Sequence, residues 1–195
     1  MVGKYSYFSS MISENSKAIF TFLSGALTLS SLTVGTLAHA KLTNQSKVYI
    51  NGIGTVRVGM TVAEASKAAG TRLIREDGYE PNAGCFYVKP QAELKGIGFM
   101  VTDDRIARVD VWENKRITTQ SGAKIGDTEA RIKSLYPGQI KVSPHKYVQG
   151  GHYLSFVPKD ASDKNYRLVF ETDGKRVTEF RAGKLPEVEY IEGCS

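Results

Sequence analysis

Val58-Gly59-Met60-Thr61-Val62-Ala63-Glu64 is the stretch whose reading decides the fold, because Ile125-Gly126-Asp127-Thr128 repeats its grammar farther along the chain. A threonine followed three residues later by glutamate is a capping box. The hydroxyl accepts a free amide of the first helical turn, and the carboxylate accepts the amide of the threonine. Thr61 and Glu64 therefore start a helix over Val62–Ala69, which Gly70 stops. Ala65, Ala68 and Ala69 give it a small-residue side that can lie close to a sheet. Thr128 caps a second helix in the same way, although Arg131 stands where the glutamate would be. Ile132 and Leu135 form its apolar stripe, and Pro137-Gly138 ends it.

Outward from each helix the pattern continues as a loop, a strand (85–88 and 153–157) and a hairpin. The first hairpin has arms 96–102 and 105–112 around Asp103-Asp104. The second has arms 166–172 and 176–181 around Asp173-Gly174, a favoured tight-turn dipeptide. Ile106, Val109 and Val111 alternate imperfectly, which signals a bulge. Leu168 and Phe170 share one face, with Val177 and Phe180 on the return arm. The expected fold class is α+β: two tandem helix-plus-antiparallel-sheet repeats forming one curved sheet, with the helices on one face and the other face exposed. Its parts are an N-terminal lead (41–51), repeat 1 (52–117), repeat 2 (118–183) and a tail (184–195) packing back on repeat 1. Each repeat is too small for a secure core of its own, so the two are expected to share one.

The step Val58-Gly59-Met60-Thr61 with Glu64 resembles the helix start of the small envelope domain found in the outer-membrane assembly lipoprotein BamE. The doubled arrangement, from Gly52 to about Gly183, resembles the beta-lactamase inhibitory protein, which is built from two such repeats. That resemblance implies a concave sheet that grips another protein. The inhibitory protein's disulfides are local to its repeats, whereas the cysteines here are far apart, and the lipidated cysteine of the assembly lipoprotein has no counterpart.

Before position 41 the only basic residues are Lys4 and Lys17, and no charged residue occurs from Ala18 to Ala40. A basic lead, an apolar run and the ending Ala38-His39-Ala40 make residues 1–40 a signal peptide cleaved after Ala40. The run is also long enough to span a bilayer, so an uncleaved membrane anchor is the alternative. Cleavage implies a periplasmic or secreted bacterial protein without stable membrane insertion. Cys85 and Cys194 are the only cysteines, and two thiols in an exported chain imply one disulfide. The formal charge is +6, but the basic residues are scattered, which excludes a dedicated nucleic-acid surface.

No catalytic residue, cofactor cradle or metal set emerges. His145 and His152 share a loop without a ligand pattern, and Asp103, Asp104 and Asp173 are explained by their turns. The chain is therefore expected to be non-enzymatic, to need no cofactor and to bind another envelope or secreted protein, as an inhibitor or as an envelope assembly factor. Outward positions Arg108, Asp110, Thr178 and Arg181 are the candidate contacts, joined by Tyr147 and Tyr153 and by Trp112, unless Trp112 completes the core.

Overall fold

Two threonines set the helix starts. The computed structural model of the chain describes residues 41–78, 80, 84–91 and 94–194, so the expected signal peptide, residues 1–40, lies outside the described residues. Helix α1 is Val62–Ala69. Glu64 N donates to Thr61 Oγ1 (3.3 Å), and Thr61 N donates to Glu64 Oε2 (2.8 Å). The Thr61 amide and hydroxyl together hold the Glu64 carboxyl below its ordinary range. Gly70 closes the helix at φ 62°, a left-handed conformation that a side chain would resist. Helix α2 is Glu129–Leu135, where Arg131 N donates to Thr128 Oγ1 (3.2 Å).

Each helix start is stitched to the return arm of the following hairpin by the same set of bonds. Gly59 N donates to Ile106 O, Ile106 N to Met60 O, and Arg105 Nη1 to Gly59 O, at 2.8, 2.8 and 2.7 Å. Gly126 N donates to Val177 O, Val177 N to Asp127 O, and Arg176 Nη1 to Gly126 O, at 2.9, 2.9 and 2.7 Å. A guanidinium just after each turn thus satisfies the carbonyl of each Gly-x-Thr step.

The strands are β1 Lys47–Tyr49, β2 Gly52–Ile53, β3 Val56–Arg57, β4 Leu73–Arg75, β5 Cys85–Pro90, β6 Ile97–Thr102, β7 Arg105–Trp112, β8 Thr118–Thr119, β9 Ile140–Pro144, β10 His152–Phe156, β11 Tyr166–Thr172 and β12 Val177–Lys184. Eight of them form one sheet in the order β4-β5-β6-β7-β12-β11-β10-β9, antiparallel throughout. At its centre β7 and β12 pair with Asp110 opposite Arg181. Here Gly183 is required by space: a Cβ on it would stand 2.4 Å from the Cβ of Arg108. The expected bulge lies between Met100 and Val101, and a second lies between Glu171 and Thr172. Both bulges, the two arginines and the Asp110/Arg181 pair share one offset (171 − 100 = 176 − 105 = 181 − 110 = 71).

One face of this sheet carries Phe99, Val109, Leu154, Phe170 and Phe180, packed in one core with Ala65 and Ala69 of α1 and Ile132 of α2. Leu168 and Val177 join them, as the alternation predicts. The expectation of one sheet needs amendment. The lead does not stand apart: β1 pairs with β2 and, in parallel, with β8, giving a second sheet in the order β3-β2-β1-β8. Strands β4 and β9 also occupy what the sequence suggests are loops after the helices, because three and five residues flanked by turns carry too little periodicity to register.

Candidate functional site

The second face of the large sheet is not left open. Cys85 and Cys194 are joined by a disulfide that brings the chain end back to β5. Between β12 and that bond the tail makes a short 3-10 turn, Glu187–Glu189, and crosses the sheet. Val188 packs with Tyr153, Val169 and Leu185 in a small second core. The tail therefore covers both halves of the sheet and not repeat 1 alone.

Two expected contact residues are buried by it. Arg108 and Arg181 are only 3% and 4% exposed. Arg108 Nη1 donates to Glu187 O (2.9 Å) and Tyr190 O (2.7 Å), its Nη2 to the Tyr87 hydroxyl (2.6 Å), and its Nε to Asp110 Oδ2 (3.0 Å). Burial alone would lower the Arg108 pKa, but Asp110 and the Tyr87 hydroxyl hold it above its usual value. Arg181 Nε donates to Val188 O (2.7 Å), and its Nη1 pairs with Glu171. The two arginines fasten the tail, and the expectation that they form an exposed binding face is corrected. Buried guanidinium groups require partners, and the tail's carbonyls supply them.

Tyr153 is buried as well, its ring stacked on His145 at 4.5 Å. Since the backbone amides of Tyr147 and Val148 donate to His145 Nδ1, its Nε2 carries the proton and donates to Glu171 Oε2 (2.9 Å). His152 bonds Glu129 on α2 instead, so the two histidines do not converge on one ligand. Among the described residues no group of three or more His, Cys, Asp or Glu is placed to hold a metal ion. Thr178 sits in the second bulge, exposed, its hydroxyl donating to Glu171 O (3.2 Å). That bulge shifts the alternation, so Glu179 takes the place in phase with Arg181.

A cleft of about 320 Å³ remains between sheet and tail. Its walls include Asp110 and Trp112, together with Tyr87, Lys89, Glu179 and Ile191, which the sequence alone does not single out. The Trp112 ring lies across β6, where a Cβ on Gly98 would stand 2.9 Å from it. Lys89 Nζ sits 4.8 Å from the ring centroid. Beside the cleft, Tyr147 is 62% exposed, and Val148, Tyr190 and Ile191 are exposed too. Lys146 and the Tyr147 hydroxyl both bond Glu192, tying the 145–151 loop to the tail. The periodic signals of β7 and β12 pointed to this face; the tail residues carry no comparable signal.

Among the described residues no helix is long and apolar enough to cross a membrane. A scan of family models and a search of curated proteins find no match to the chain. Among solved structures, the chain is similar to the uncharacterized protein YfeY from Escherichia coli, with 15% identity and a TM-score of 0.46 over 71% of this chain and 99% of that one.

Proposed function

We propose that this chain is an exported, non-catalytic binding protein that engages another protein of the envelope or medium through the ridge formed by its tail and the 145–151 loop. The observation that carries the reading is the cluster of exposed apolar side chains Tyr147, Val148, Tyr190 and Ile191 on segments cross-linked by Glu192. Such side chains serve as anchors when held rigidly, since little ordering cost remains on binding. The scaffold, on this reading, is a tandem duplication with helices on one face; the shared offset of bulges and arginines supports it. Export through residues 1–40 agrees with the disulfide, which belongs to an oxidising compartment.

The test is capture from envelope and secreted proteins, followed by affinities for variants. Tyr147→Ala with Ile191→Ala is expected to weaken the partner at least tenfold, and Thr178→Ala to leave it unchanged. Equal affinity for wild type and the double variant would remove the ridge from the account. Capture of a soluble enzyme with loss of its activity would make the protein an inhibitor; co-purification with outer-membrane machinery would make it an assembly factor.

A further inference from the structure

The cleft beside the ridge holds one charge too many. On its walls Lys89 pairs with Glu76, Arg108 with Asp110, Arg181 with Glu171 and Glu192 with Lys146. Glu179 lines the same cleft, and among the described residues no cation stands within ion-pair distance of it. It lies directly opposite Glu171 in the β11–β12 ladder, a position where like charges destabilise a sheet. Packing around its carboxyl, and next the charge of Glu171, push its pKa up against the pull of the Arg181 charge, and side-chain contact with Glu171 adds to the rise, although the residue remains exposed at the cleft mouth. Across β7–β12 its partner is Trp112, whose ring face already attracts the ammonium of Lys89. A carboxylate short of a cation, an indole face and the aliphatic Ile191 thus share one opening.

Resting on the protein-binding reading above, we propose that this cleft receives an alkylammonium or alkylguanidinium group, the lysine or arginine side chain of the partner, which pairs with Glu179 while its stem packs on Trp112 and Ile191. The volume suits one long side chain, and Lys89 occupies the ring face until the ligand arrives. Both halves of such a side chain are matched: the charged head by Glu179, the methylenes by the apolar wall.

Trp112 is the only tryptophan, so its fluorescence reports the site directly in the disulfide-bonded protein. Titration with N-acetyl-lysine methylamide and N-acetyl-arginine methylamide is expected to give a saturable change, absent with the neutral N-acetyl-norleucine methylamide, which keeps the lysine methylene stem but lacks the ammonium. Glu179→Gln should abolish it, while raising the Tm at pH 7 by about 1–3 °C through loss of the repulsion with Glu171. Lys89→Met should tighten it severalfold by clearing the ring. The proposal is overturned by no saturable change in wild type, by equal binding to Glu179→Gln, or by a lower Tm for that variant, which would mean the fold itself uses the charge. Putrescine forms the arm that separates sources: if it binds ten times more tightly than both side-chain analogues, the partner assignment falls. Loss of the ridge contact with retained analogue binding would instead count against the ridge alone.

Discussion

Every donor of the Arg108 guanidinium is used inside the molecule, on Asp110, Tyr87 and two carbonyls of the tail. A residue of that type in a strand reads as a surface contact from sequence, because the cover that buries it comes from 79 and 82 positions away. Glu187 is the acidic counterpart on the tail itself. It is buried, its Oε1 accepting from Thr102 Oγ1 (2.8 Å) and pairing with Lys184 (2.9 Å). Burial would raise its pKa, but Lys184 and Thr102 bring it below the ordinary value. A carboxyl whose folded pKa is depressed contributes stability above its unfolded pKa and loses it as pH falls through the folded one. Urea-unfolding midpoints from pH 7 down to pH 3 should therefore fall less steeply for Glu187→Gln than for wild type. Identical slopes would remove Glu187 from the acid response.

At the scale of elements, the tail is fastened by the buried arginines, by Glu187 on Thr102 and Glu192 on the 145–151 loop, and by the disulfide across 109 positions. A bond closing a loop of that length stabilises by about 2–4 kcal/mol, mostly by restricting the unfolded chain. Replacing both cysteines by serine is expected to cost that much while the fold persists. Hydrogen exchange should then quicken at 191–194 yet stay slow at 187–190, where Arg108 and Arg181 still hold the backbone. Loss of protection across the whole tail would show that the disulfide alone keeps it down. The helices and hairpins were legible in the sequence because their causes are local: Thr61 with Glu64, Gly70, and the turns at Asp103-Asp104 and Asp173-Gly174. Asp103 and Asp104 adopt φ values of 50° and 58°, as a tight hairpin turn demands. Strand β8 was not legible, since its partner β1 lies 71 positions away and it has no pattern of its own, and β1, although it pairs locally with β2, is too short to carry a period. The covering of the second sheet face was missed for the same reason. The bulge at Glu171/Thr172 then placed Glu179, and not Thr178, on the cleft wall.

For the whole molecule, eight strands meet across β7 and β12 around the Asp110/Arg181 pair, with one face committed to the core and the other to the tail. On the proposed reading, recognition then falls to the ridge over the sheet and the cleft at its side, without either helix. Hydrogen–deuterium exchange of the protein with and without its captured partner tests this most directly. The account predicts slowed exchange confined to 146–148, 190–193 and the strand ends around Trp112 and Glu179. Protection centred on α1 and α2, with the ridge unchanged, would contradict it.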